Sequence, residues 1–292
     1  MSQAEHYQSE LDWLLNSPEI FQHHSTDSLQ LNSRYLDEIQ IANSAFEAPD
    51  IQPRLGLYAE SLLANWMKSH PYLNLLACNK QIFNKDKQTI GAFDFLVHDS
   101  QHDLWWHWEL TVKYYLLHQT NDSHQWIGPD RRDTLTRKYK HLLTRQIRLS
   151  DTPEGKQYLA QWHTGEWQKA IIARGYLFYP RAQWLKQDFI SDNTLNPEHN
   201  KAWWLHAKDI TELENENTYW LIRKKPDWLI PALKNNDSEI QNSKEIVSML
   251  KQHFENSVRA IMLSQLEKTP SGQYTEISRA IIVPDNWPEI AT

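Results

Sequence analysis

A single cysteine, Cys78, in 292 residues excludes an intramolecular disulfide and every zinc motif built on several cysteines. Glycine is nearly as scarce, at seven. Neither a phosphate-cradling G-x-x-x-x-G-K-S/T loop nor a dinucleotide-binding G-x-G-x-x-G turn occurs, and His-Glu-x-x-His and Gly-x-Ser-x-Gly are missing too. No apolar run approaches the roughly 20 residues of a membrane span. The opening MSQAEHYQSELDWLLNS lacks a basic segment leading into an apolar one. A soluble, cytoplasmic protein without a membrane partner is therefore expected. Positive charge is also short: 30 Lys and Arg against 37 Asp and Glu leave a net charge of −7, so affinity for nucleic acid would have to come from a local patch.

The hydrophobic fraction of 40% suffices for a sizeable core, and fourteen tryptophans are spread along the chain. They serve packing or a surface on which bases or sugars stack. No repeat or flexible linker interrupts the sequence. Residues 1–54 read as an N-terminal helix and loop packed on the remainder. Residues 55–292 read as one domain, with a core at 55–180 and a C-terminal elaboration at 181–292.

The informative stretch is 91–117, GAFDFLVHDSQHDLWWHWELTVKYYLL. Two runs rich in aromatic and β-branched residues flank a polar segment, which predicts a β-hairpin. Alternation places Phe93, Phe95 and Val97 on one face with Trp106, Trp108, Leu110, Val112 and Tyr114. The other face receives Asp94, His107, Glu109, Thr111 and Lys113. Closure around 101 and 102 sets Asp94 opposite Glu109, two carboxylates roughly 5 Å apart. Like charges so placed repel, and a raised pKa, a nearby lysine or a divalent cation must offset the repulsion. On a solvated face, Glu109 could instead pair simply with Lys113.

Around the hairpin, a helix is expected over 5–21, ending at Ser17-Pro18, and residues 22–53, with His23 and His24, read as loop with some helix near 35–45. Residues 55–69 have Leu55, Tyr58, Ala59, Leu62 and Trp66 at the spacing of one helical face, with Glu60 off that stripe. A strand is expected over 75–83, and a polar loop over 118–129. A long helix is expected over 131–149, with Arg131, Arg132, Arg137, Lys138 and Arg145 along or beside its polar side. In an acidic protein this basic helix points to contact with a phosphate backbone. Further strands are expected at 170–178, 202–205, 218–222, 228–233 and 281–283, with a helix over 244–267.

The order of a helix with Glu60, a strand, the Asp94 and Glu109 hairpin and a basic helix resembles the αβββαβ core of the PD-(D/E)xK, or restriction-endonuclease-like, nuclease superfamily. Gly91-Ala-Phe-Asp94 resembles its Gly-x-x-Asp strand, and Glu109-Leu-Thr-Val-Lys113 its Glu-x-Lys strand. Thr111 occupies the usual lysine place, and Lys113 stands two residues further on. Residues 55–149 also resemble a bacterial family of uncharacterised proteins related to that fold, through the Tyr-Ala-Glu helix, the Trp-Glu-Leu-Thr-Val-Lys strand and the Gly-Pro-Asp loop. The resemblance implies an α+β fold with a central mixed sheet flanked by helices, extended by C-terminal strands and a helix. It also implies Mg²⁺ or Mn²⁺ held by Asp94 and Glu109, with Glu60 and Lys113 completing a catalytic set that hydrolyses phosphodiesters of nucleic acid. The alternative is a catalytically inactive module of the same fold that binds nucleic acid or a protein. His107-Trp-Glu109 matches the His-x-Glu of zinc deaminases, but the Pro-Cys-x-x-Cys those enzymes need is absent. A glycosidase would suit the acid pair; the basic helix suits phosphate better.

Overall fold

The period-2 alternation of the two central runs does fold as a hairpin, and the flanking elements pack on both of its faces. The computed structural model describes residues 3–22, 35, 38, 39, 47–49, 54–121, 123–215, 218–234 and 238–289. The expectations for His23, His24 and most of 22–53 lie outside them. The fold is α+β, with a large mixed sheet flanked by helices. No helix among the described residues is long and apolar enough to cross a membrane.

The chain divides into two compact units. The first takes Met1–Val112, Arg137–Arg174 and Asn193–Asn196; the second takes Lys113–Thr136, Gly175–Asp192 and Pro197–Thr292. In chain order the helices are α1 (Gln3–Asn16), α2 (Leu55–Ser69), α3 (Leu135–His141), α4 (Pro153–Leu159), α5 (Arg181–Lys186) and α6 (Ser243–Asn256). The strands are β1 (Leu73–Phe83), β2 (Thr89–Asp99), β3 (Leu104–Gln119), β4 (His124–Ile127), β5 (Gln168–Pro180), β6 (Lys201–His206), β7 (Tyr219–Arg223), β8 (Leu233–Lys234), β9 (Ile240–Asn242), β10 (Ile261–Lys268) and β11 (Tyr274–Val283).

In the first unit, α2 buries its stripe of Leu55, Tyr58, Ala59, Leu62 and Trp66. It stops at His70, whose extended backbone is what a following proline, Pro71, requires. Strands β1 and β2 pair antiparallel, and β2 pairs β3 with Phe95 opposite Trp108 and Leu96 opposite His107. The paired register ends at Phe95 and Trp108, with Asp94 and Glu109 next on the two strands; Phe93, expected on the face of Phe95, instead packs against His107 and clusters with Leu96, so the alternation is broken at this point. The polar face of the hairpin is not solvated: Leu96, His107 and Glu109 are as fully buried as Phe93, Phe95 and Trp108. Ile82, Phe93, Leu96, Leu149, Leu159 and Trp167 form one apolar cluster here.

In the second unit, β5 and β11 both pair parallel with β6, β10 runs antiparallel between β11 and β7, and β9 completes the edge beside β7. Helix α6 starts on an Asn242–Glu245 capping box and packs Ile246, Val247 and Leu250 against Trp203, Trp220 and Leu263. Gly175 of β5 has φ +146°, and a Cβ there would lie 1.7 Å from the Lys113 carbonyl oxygen.

Four further expectations need correction. The helix expected over 244–267 ends at Asn256, and Ile261–Lys268 is a strand. Its run Met262-Leu263-Ser264 is buried on both strand faces, and such continuous burial carries no period that separates helix from strand. The strand expected over 228–233 is only Leu233–Lys234. Upstream carbonyls are taken by side chains, Ile230 O accepting from Arg223 (3.0 Å) and Arg279 (2.8 Å), so no ladder forms. The loop expected over 118–129 contains β4, paired with the end of β3. The helix expected over 131–149 begins only at Leu135 and widens at Leu142–Gln146 into a turn of i→i+5 hydrogen bonds, closed by Ile147 N–H on Leu142 O (3.0 Å).

Candidate functional site

Three acids come together in the first unit. Glu60 arrives on α2, Asp94 on β2 and Glu109 on β3. Asp94 and Glu109 are in hydrogen-bonding contact with each other, and Asp94 Oδ2 also accepts from the Leu110 N–H (2.9 Å). Glu60 interacts electrostatically with Asp94 and takes a hydrogen bond from the Asn79 side chain, while its Oε2 is buried without a hydrogen-bond partner. Asn79 sits in β1 with a left-handed backbone (φ 51°), a conformation asparagine tolerates better than most residues.

Both oxygens of Glu109 receive donors. Burial pushes His107 down to about 3, so its ring is neutral. Its Nε2–H donates to Glu109 Oε1 (2.8 Å), and its Nδ1 accepts from Ser150 Oγ (3.3 Å). Gln146 Nε2 donates to Glu109 Oε2 (2.7 Å), while Gln146 Oε1 accepts from Lys138 Nζ (2.7 Å). Positions eight apart in an α-helix are roughly 80° out of line. The wider turn at Leu142–Gln146 rotates less per residue, and that brings Gln146 under Lys138.

Burial raises all three acids, Glu60, Asp94 and Glu109, to about 7. Beyond burial, the Glu109 charge raises Asp94 and the Asp94 charge raises Glu60, whereas Lys138 lowers all three. Donors on both oxygens favour the charged form of Glu109, which draws the proton of the pair toward Asp94. Cys78 is pushed up to about 11 by burial and then by the Glu60 and Asp94 charges, which leaves an inert thiol.

The sign of the resulting pH dependence follows directly. Acids whose folded-state pKa lies above the unfolded value stabilise the fold below about pH 4, and that contribution is lost as pH rises through about 7. In chelator-treated protein, urea unfolding should show stability falling between pH 5 and pH 8. The fall should exceed that of the Asp94→Asn, Glu109→Gln double variant by on the order of 3 kcal/mol. Parallel curves for the two proteins would mean that the pair is not under strain.

The other expected residues distribute differently. Lys113 Nζ binds Asp133 Oδ2 (3.0 Å), which also accepts from the Tyr115 hydroxyl (3.0 Å). Arg131, with a left-handed backbone, donates through Nη2 to Asn286 Oδ1 (2.6 Å) and through Nη1 to the Glu289 carbonyl. Lys113, Arg131 and Arg132 belong to the second unit, and Arg137, Lys138 and Arg145 to the first. Arg132, Arg137 and Arg145 have exposed side chains. The lysine whose charge acts on all three acids is thus Lys138. Sequence spacing does not reveal Asn79, Gln146 or Ser150 as members of the site. The one available signal is polar residues interrupting otherwise apolar elements.

Among the described residues no three His, Cys, Asp or Glu side chains form a metal cage. The assembly is two touching carboxylates, a third acid beside them and a lysine above. Two carboxylates suit a cation that keeps most of its waters, as Mg²⁺ does, and not a closed four-ligand zinc site. The unpartnered Glu60 oxygen and the repulsion within the pair fit such an ion.

These features define an α+β protein with a carboxylate pair on its central hairpin, Glu109 buried and Asp94 partly buried. The chain belongs to the family described as Domain of unknown function (DUF1853), which matches residues 9–283. No curated protein and no solved structure matches it.

Proposed function

We propose that the first unit is a divalent-metal-dependent nuclease related to the PD-(D/E)xK superfamily, with Asp94 and Glu109 as metal ligands and Glu60 beside them. The observation that carries the reading is the contact between the buried Glu109 carboxylate and the partly buried Asp94 carboxylate on neighbouring strands, with a lysine charge upon both. The helix, three strands, helix and strand of α2, β1, β2, β3, α3 and β5 support it, in the order the resemblance implies. When bound, Mg²⁺ or Mn²⁺ supplies an acidified water and neutralises charge on a phosphodiester.

The chain's own groups do the rest. His107 and Gln146 fix the Glu109 carboxylate from both sides, so its orientation does not depend on a ligand. Lys138 takes the role that Glu-x-Lys assigns to a lysine two residues after the glutamate: it holds positive charge near the acids, where charge develops on phosphate oxygens. Lys113 is engaged by Asp133 and serves structure. Arg137 and Arg145, exposed in the basic segment, are the cations offered to a phosphate backbone.

A second reading keeps the fold and drops the chemistry, giving a module that binds nucleic acid without cutting it. Thr111 in the usual lysine place and the absence of a three-ligand cage among the described residues favour it. One experiment separates the two. Calorimetric titration with Mn²⁺ should show binding by the wild type that disappears in Asp94→Asn and in Glu109→Gln, and metal-dependent nicking of plasmid DNA or cleavage of RNA should disappear with it. Metal binding without cleavage selects the second reading. No binding by the wild type refutes the metal assignment.

A further inference from the structure

We infer that the second unit carries a nucleotide site of its own, a cleft that takes a nucleoside phosphate either free or as part of a single strand. The cleft has a volume of about 660 Å³, within the range of small-ligand sites. Its rim brings together Arg131 and Arg132 from the turn before α3, Lys225 from the segment after β7 and Arg259 from the segment before β10. These cations come from three separate parts of the sequence, and Asp130 is the one acid among the lining residues.

Among the described residues no carboxylate pairs with the Lys225 or Arg259 side chain. Arg131 spends its hydrogen bonds on a carbonyl and an amide oxygen, both neutral. The left-handed backbone of Arg131, costly for a residue with a Cβ, holds its side chain in that place. Lys225 lies over the Trp228 ring, 4.7 Å from its centroid, and both Lys225 and Arg259 are exposed. Cations concentrated in one cleft are what an anion meets first, and arginine matches phosphate oxygens through its planar fork.

The floor explains why the anion should carry a base. It is apolar, formed by Ile261, Met262 and Ile281, with Trp228 also lining the cleft. Val258, which also lines the cleft, is 72% exposed and open to whatever enters it. An apolar floor under a cationic rim fits a flat base with a phosphate attached better than a bare anion. Base stacking on an aromatic ring, with arginine or lysine on the backbone, is the general means of holding unpaired nucleotides. The inference goes beyond the cleavage reading, because every residue named here lies in the second unit and the site stands even if Asp94 and Glu109 do no chemistry.

The test is calorimetric titration of the full chain, in chelator, with AMP, inorganic phosphate and a four-residue oligothymidylate. The proteins are wild type, the Lys225→Ala, Arg259→Ala double variant and Asp94→Asn. AMP or the oligonucleotide should bind the wild type and Asp94→Asn alike. The double variant should bind about tenfold or more weakly, and for the oligonucleotide the slope of log affinity against log salt should shrink by about 1.4, two lost contacts at about 0.7 each. A preference for AMP assigns the site to free nucleotides, and a preference for the oligonucleotide to a strand; either supports the inference. Equal affinity in the double variant, phosphate binding as tightly as AMP, or no binding of AMP or oligonucleotide would overturn it. Both substituted side chains are exposed, and circular dichroism checks that the variant folds.

Discussion

Replacing Lys138 with methionine should lower metal-dependent cleavage by about 100- to 1,000-fold, the usual cost of removing one group that stabilises developing charge. The same replacement at Lys113 should leave turnover within a few-fold of wild type. The two lysines are separated by their surroundings. Lys113 is tied to Asp133, whereas Lys138 acts electrostatically on Glu60, Asp94 and Glu109 and is held by Gln146. Single-turnover rates at saturating Mn²⁺ provide the measurement, with metal affinity determined alongside. Lys138 also lowers the pKa of the acids, so affinity is compared well above pH 7, where the acids are ionised in both proteins; there it should persist or rise while the rate falls. If the two variants exchange behaviour, the lysine belongs on β3 and the role assigned to the basic segment is wrong.

The second large effect concerns stability. Gly175→Ala should cost about 4 kcal/mol or more in urea unfolding, or prevent folding altogether. Two causes act together: φ +146° is open to glycine and not to alanine, and the new Cβ would sit 1.7 Å from the Lys113 carbonyl oxygen. That oxygen is backbone of β3, so it cannot rotate aside as a side-chain tip would. The strands would have to part, and Lys113 would leave Asp133. Gly272 offers a control, with a positive φ (+85°) but open space around its missing Cβ. Alanine there should cost about 1 kcal/mol. Equal losses at the two sites would show that backbone conformation alone, and not the close approach to β3, sets the cost.

The hairpin was legible because two alternating runs and a polar turn constrain each other, so the register Phe95 to Trp108 follows from the pattern. Helix α2 was legible for a related reason: five apolar residues at helical spacing end at a proline. The burial of the polar face was not, since alternation says which residues share a face and nothing about what covers it. The nearness of Lys138 to the acids was not legible, because no residue pattern marks which lysine of the basic segment faces them, and the contact of Gln146 with Lys138 depends on a widened turn that no pattern marks either. Strand β10 was hidden by continuous burial. The segment after β7 was misread because Arg223 and Arg279, distant in sequence, satisfy carbonyls that a strand would have paired.

The touching acids of the hairpin carry a consequence for laboratory evolution. A library of this chain screened only for heat resistance, in chelator and above neutral pH, should accumulate Asp94→Asn or Glu109→Gln among its earliest winners, because either removes the like-charge contact while keeping the shape of the side chain. Those same clones should be the ones that no longer bind Mn²⁺. A trade between ruggedness and activity would then map onto two positions, and the screen would mark the site without any substrate being known.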